Sequence, residues 1–132
     1  DKLSLSLMGY SGAILRNNEG KILFQLRDEN GRNPNKWGIF GGGIKKRENP
    51  INALIREIKE ELGINLSSSD ILKRYKIPLI DYYIYEIRLK NNPRKSQLKE
   101  GKDMEFMTIK EFLNKKDGLL RVKIFLRLFK VN

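Results

Sequence analysis

The chain has no cysteine and no histidine, only four prolines and one tryptophan. No apolar run approaches the about eighteen residues of a membrane-spanning helix. These absences exclude whole classes of chemistry. Without cysteine there are no disulfides, no thiolate nucleophile and no thiolate zinc site; without histidine there is no imidazole ligand and no Ser-His-Asp triad. Any chemistry must run on carboxylates, lysines, hydroxyls or a bound hard metal. No secretory signal is expected in this stretch either, because Leu3 to Met8 is too short and alternates Leu with Ser, as a half-buried strand does. The expectation is a cytoplasmic protein with no membrane partner.

What is present is enough for one core. The 132 residues are 39% hydrophobic and 33% charged, and 27 Lys and Arg stand against 16 Asp and Glu, a formal charge of +11. Residues 1–132 are expected to form a single domain. Leu3, Leu5 and Leu7 alternate, Gly12 to Arg16 is short and apolar, and Lys21 to Arg27 is rich in Ile, Leu and Phe, so all three read as strands. Asn17 to Gly20 suits a hairpin turn between the last two. Asp28 to Lys36 reads as a polar loop, and Trp37 to Phe40 as a brief strand running into Gly41, Gly42 and Gly43. Three bare glycines let the backbone approach a ligand.

A helix is expected next, with Asn49 as its cap, Pro50 at its first position and Gly63 just past its end. Ile51, Leu54, Ile55, Ile58 and Leu62 fall on one stripe that should face a core. Ile71 to Ile77, Tyr82 to Lys90 and Asp103 to Met107 read as strands, and Asn91 to Lys102 as a basic loop. Thr108 and Glu111 form a capping box for a short helix, and Asp117 should start a last helix reaching about Lys130. Strands and helices interleave too irregularly for a doubly wound parallel sheet, which favours a mixed sheet with helices on its faces.

On the central helix, Glu57, Glu60 and Glu61 stand at i, i+3 and i+4, so their carboxylates share one face, turned away from the apolar stripe. Like charges at this spacing repel, and they lie toward the helix C-terminus, the unfavourable end for negative charge. A divalent cation would remove the penalty, and with only oxygen ligands on this face magnesium fits, with manganese as the alternative. A solvated charged triplet is the plain alternative for these three residues taken alone.

Their setting changes the odds. Gly42 is followed after five residues by Glu48, and after seven more by Arg56, Glu57, Ile58, Lys59, Glu60, Glu61, Leu62, Gly63 and Ile64. This string, GGIKKRENPINALIREIKEELGI, resembles the Nudix box, G-x5-E-x7-R-E-U-x-E-E-x-G-U with U a bulky aliphatic residue, at all nine specified positions. Trp37 to Gly42 is similar to the family's strand entering the box, except that Phe40 replaces the usual proline. Lys99, Glu100 and Gly101, followed by Glu105 to Thr108, resemble the segment in which small MutT-like members supply a glutamate from outside the box. Lys45 and Arg47 depart from the pattern, standing where the family often has an acid and a glycine.

The resemblance implies a Nudix-type α/β/α sandwich around a mixed sheet. It also implies that Glu57, Glu60 and Glu61, helped by the Gly42 carbonyl and by Glu100, hold one to three divalent ions. Arg56 would pair with Glu48 and fix the loop against the helix. Metal would bridge the oxygens of a diphosphate and activate a water, with Glu57 as the general base and Glu100 its rival. The implied activity is cleavage of a nucleoside-diphosphate-linked compound. A nucleoside triphosphate, with oxidised ones included, is the preferred substrate, yielding monophosphate and pyrophosphate. ADP-ribose, a nucleotide sugar or a dinucleoside polyphosphate is the rival within the enzyme class, and a non-catalytic nucleotide- or RNA-binding module the rival outside it. Both monomer and homodimer are compatible with the chain.

The substrate's variable part must be read outside the box. Phe24, Trp37, Phe40, Tyr82, Tyr83 and Tyr85 could stack a base, although core packing is the first expectation for each, and Tyr82 and Tyr83 must face opposite sides of their strand. Arg88 to Lys130 holds 13 Lys and Arg against 5 Asp and Glu. Such a stretch draws polyanions, but its phenylalanines have core-like spacing, so RNA is the less favoured partner.

Overall fold

The computed structural model describes residues 9–132, so the expected strand at Leu3 to Met8 lies outside the described residues. The elements are β1 (Tyr10–Arg16), β2 (Ile22–Leu26), β3 (Trp37–Gly38), β4 (Phe40–Gly43), α1 (Pro50–Leu62), β5 (Ile71–Ile77), β6 (Tyr82–Arg88), β7 (Asp103–Met107), α2 (Ile109–Leu113) and α3 (Leu120–Leu128). Single 3₁₀ turns lie at Ser68–Asp70 and Lys95–Gln97. The seven strands form one mixed sheet. β1 runs parallel to β6 along its whole length and antiparallel to β2 and β4; β2 also pairs with β3 and β7, and β5 with β6.

Alternation along the strands produces a core on each face. On one face Ala13, Leu15, Leu23, Tyr85 and Ile87 pack under Leu54, Ile58 and Leu62 of α1. On the other, Ile14, Ile22, Phe24 and Ile84 pack under Phe112 of α2 and Val122, Phe125 and Leu126 of α3. The result is the α/β/α sandwich that the sequence led us to expect. The second layer is anchored by Phe24 and Phe112, whose rings stack in parallel with centroids 4.1 Å apart.

The β1–β2 hairpin is closed by Asn17, whose side-chain oxygen accepts from the backbone N–H groups of Glu19 (2.9 Å) and Lys21 (3.0 Å). Beyond it the two strands part, and only Arg16 and Ile22 are paired between them. The segment expected as one strand, Trp37 to Phe40, is divided to fill this fork. Trp37 and Gly38 pair with Leu26 and Gln25 of β2, and Phe40 to Gly43 pair with Ala13 to Tyr10 of β1. The glycines are therefore strand residues rather than a free loop.

Three further expectations are corrected. The last helix begins at Leu120, not Asp117, because Asp117 to Leu119 is drawn to the sheet edge: the Trp37 N–H donates to the Asp117 carbonyl (2.8 Å), and the Leu119 N–H to the Trp37 carbonyl (2.8 Å). The sixth strand stops at Arg88, not Lys90. On α1 the core-facing residues are Ala53, Leu54, Ile58, Glu61 and Leu62, whereas Ile55 is half-buried. Among the described residues, no helix is long and apolar enough to cross a membrane.

Candidate active site

α1 carries the charged residues, and its ends are built as the sequence suggests. The Asn49 side chain accepts from the Asn52 N–H at 2.8 Å, and Gly63 takes a left-handed conformation (φ 69°), its N–H donating to the Lys59 carbonyl. Between these caps Arg56, Glu57, Glu60 and Glu61 come to the mouth of the fork, in three different environments. Glu60 is exposed. Glu57 is half-buried against Gly42, where a Cβ on the glycine would stand 2.3 Å from the Glu57 carboxyl carbon. Glu61 is 3% exposed and accepts from the Gly41 N–H at 3.0 Å. The expectation that all three carboxylates turn away from the core thus fails at Glu61, which is sunk into the fork.

Arg56 ties these groups to the loop before the helix. Its Nε and Nη2 donate to the two Glu48 oxygens (2.8 and 2.9 Å), Nη1 reaches Glu57 (2.9 Å) and Glu60 (3.4 Å), and Nη2 also donates to the Gly43 carbonyl (3.0 Å). The two-pronged bond to Arg56 holds the Glu48 carboxyl down at about 2. Arg47 occupies the left-handed region (φ 66°) at the position where the resemblance led us to expect glycine.

Burial and its acidic neighbours Glu57 and Glu100 push Glu61 up to about 9. Glu57 is also raised, by burial, against the opposing pull of Arg56. Glu100, exposed and outside α1, joins Glu61 around a cavity of about 150 Å³ that Gln25, Arg27, Arg32 and Gly41 also line. Its loop is fixed by three contacts: the Gln25 side chain donates to the Glu100 carbonyl (2.8 Å), the Lys99 N–H to the Glu61 carbonyl (2.9 Å), and the Gly101 N–H to Asp28 (3.1 Å). Of the Glu105 to Thr108 stretch expected to accompany Glu100, Glu105 to Met107 belong to β7, which pairs with β2 and delivers this loop to the fork.

As the side chains stand, no three acidic groups among the described residues are gathered closely enough to hold a metal ion. Glu57 and Glu60 are turned to Arg56 and Glu61 to Gly41. The donor chemistry nevertheless suits a hard divalent ion: every carboxylate here offers oxygen, two of them have their charge disfavoured by burial, and Gly42 leaves room for one where any side chain would fill it. Such an ion would favour the charged forms.

Sequence reasoning missed the other wall of the site. Tyr10 and Gln25 belong to strands whose composition reads as ordinary core, Arg27 directly follows one, and nothing in the chain's spacing signals that β1 and β2 part around them. Arg27 also borders a second cavity, of about 120 Å³, lined by Tyr10, Tyr82, Leu119 and Phe125 among others. Of the aromatic candidates, Phe24, Trp37, Phe40 and Tyr85 are core, while Tyr82 reaches this cavity and Tyr83 lies on the opposite face beside Tyr85. The phenylalanines of the basic stretch, Phe106, Phe112, Phe125 and Phe129, all pack against the two cores.

Comparison with known proteins agrees with this geometry. A nucleoside triphosphatase, NudI, from Salmonella arizonae is 40% identical over 58 residues, 44% of this chain and 41% of the relative, so the match spans less than half of that protein. The NudI of Escherichia coli strain ATCC 8739 is 38% identical over the same extent. Among solved structures, the MutT protein of Methanosarcina mazei Go1 superimposes with a TM-score of 0.72 at 22% identity, covering 93% of this chain and 92% of that one. A C. elegans Ap4A hydrolase superimposes with a TM-score of 0.63 at 15% identity, covering 92% and 95%. At these identities the likeness is one of fold. The NUDIX domain profile matches residues 9–129, which takes in the fork, the α1 glutamates and the Glu100 loop together, and the chain belongs to the Nudix family.

Proposed function

We propose that the protein hydrolyses a nucleoside triphosphate to the monophosphate and pyrophosphate, with magnesium or manganese as its metal. The observation that carries this reading is that Arg27 lines two cavities: a polar one beside Glu61 and Glu100, and an aromatic one beside Tyr10 and Tyr82. A nucleotide needs both, one end for phosphates and one for its base. The family's general use of divalent metal supports the cofactor.

In this reading Glu57, Glu60, Glu61, Glu100 and the Gly42 carbonyl hold the metal, which when bound neutralises phosphate charge and acidifies a water. The chain's own residues do the rest. Arg56 releases Glu57 and Glu60 for this role while keeping Glu48, so the loop stays fixed against α1. Arg27 and Arg32 bind phosphate oxygens. Glu57 takes the proton from the attacking water, with Glu100 as the alternative base. The partner in this reading is a small nucleotide and the setting the cytoplasm.

The test is phosphate release coupled separately to pyrophosphatase and to phosphatase, across nucleoside triphosphates, ADP-ribose, nucleotide sugars and dinucleoside polyphosphates. Signal through pyrophosphatase is expected with triphosphates and should vanish in Glu60→Gln with an unchanged melting curve. Signal only through phosphatase would move the protein to linked diphosphates. Binding without turnover in either protein would make it a binding module.

A further inference from the structure

α3 is apolar on two sides. Val122, Phe125 and Leu126 are buried against the sheet, while Leu120, Ile124 and Leu128 on the outer side are 67%, 45% and 74% exposed. These three recur every four residues, so at about 100° per residue they share an arc of about 80° and form one stripe. Cations border the stripe on both flanks, Arg121 on one and Lys123 and Arg127 on the other. From Gly118 to Asn132 the chain carries four Lys and Arg and no acid.

A groove beside the stripe repeats the pattern. Between α2 and α3, the buried or half-buried Ile109, Leu113, Leu126 and Val131 line its floor, and the exposed Lys110, Arg127 and Lys130 form its rim, with no acidic side chain. None of these three cations forms an ion pair among the described residues. Arg127 lines the groove and borders the stripe, so the two features adjoin.

Such a face repels its own copy, because a symmetric contact would press basic residues together on a chain that already carries +11. Its complement is negative charge laid over an apolar interior. A lipid surface supplies both, and a protruding row of leucines needs no matching pocket there: the leucines enter the boundary between headgroups and acyl chains, while the long basic stems carry their charge out to the phosphates. We infer that α3 and the groove between α2 and α3 dock the protein peripherally on an anionic lipid surface. This docking is independent of the hydrolytic reading. It needs no spanning helix, and it departs from the expectation of no membrane partner, which rested on the lack of a long apolar run. α1 packs on the opposite face of the sheet, so a docked molecule keeps Glu60 in water.

The experiment is co-sedimentation of the intact protein with vesicles of phosphatidylcholine alone and of phosphatidylcholine with about 30% phosphatidylglycerol. Partition onto the anionic vesicles should exceed that onto neutral ones at least about tenfold. Leu120→Gln with Leu128→Gln should lower it several-fold, and Lys110→Glu with Arg127→Glu at least about tenfold, each with an unchanged melting curve. Lys45→Glu with Lys46→Glu, the same change in net charge placed in the loop before α1, should lower it less than about twofold. Equal binding to both vesicles, binding to neither, or binding that the leucine variant keeps would overturn the assignment. A dimer in light scattering that the leucine variant dissolves would give the face to a second copy, and binding of soluble poly-glutamate that this variant weakens as much would give it to an acidic polypeptide; either result overturns the lipid surface.

Discussion

Two residues of α1 and β4 show how tightly the site is built. Gly42 has no tolerance for a side chain because the Glu57 carboxyl already occupies the space a Cβ would take. Gly42→Ala should therefore leave the global fold recognisable by circular dichroism while weakening manganese binding, measured by electron paramagnetic resonance titration, at least about tenfold. Unchanged manganese affinity would remove Glu57 from the ligand set. Glu61 supplies the second case. Its folded value of about 9 lies far above the 4.5 of an unperturbed glutamate, so the folded state holds the proton more firmly than the unfolded chain does. The stability from this group is complete below about pH 4.5 and is lost as pH rises toward 9. In metal-free protein, melting temperature should fall across that interval, and Glu61→Gln should flatten the fall. Added magnesium should also flatten it by stabilising the charged form. The identity of these residues was legible from their spacing, but their unequal burial was not. Glu60 and Glu61 are neighbours in the chain, and only the approach of Gly41 separates an exposed carboxylate from a buried one.

Among the elements, α1 matters most because it presents Arg56 and three glutamates from one rigid rod. Both its ends depend on single residues. Asn49→Ala removes the side chain that accepts from the Asn52 N–H, and Gly63→Ala forces a Cβ into a left-handed conformation; each should cost about 1 kcal/mol in urea denaturation. The two sites are far apart, so their costs should add in the double variant, with a residual under about 0.5 kcal/mol. A double variant no less stable than either single would show that the helix ends are not independently formed. α1 was readable almost to the residue because caps and hydrophobic stripe are local properties of the chain. β3, β4 and the start of α3 were not. The division of Trp37 to Gly43 at Ile39 follows from which neighbour each half pairs with, β2 or β1, and the recruitment of Asp117 to Leu119 to Trp37 spends on a sheet edge residues that would otherwise open a helix.

Across the whole molecule, the sheet's fork and the net charge act together. The fork places Arg27 between the two cavities, and the formal charge of +11 surrounds the site with a field that attracts anionic substrates. Raising sodium chloride from about 50 to about 200 mM shortens the reach of that field, so KM for a triphosphate should rise several-fold while kcat holds. A KM insensitive to salt would mean that the basic residues serve solubility alone. The sequence by itself determined the two-faced sheet, the caps of α1 and the set of acidic and basic groups on it, since each of these is written in periodicities of two or 3.6 residues and in single capping positions. It also carried the family, through a box contiguous in the chain. The tertiary structure alone decided that β1 and β2 part after one pair, that Glu61 is buried at that parting, and that Tyr10, Tyr82, Arg27 and Arg121 meet around one cavity. These residues are separated by up to about a hundred positions, and their meeting depends on how strands pair and layers close. Local propensity and spacing carry no record of it.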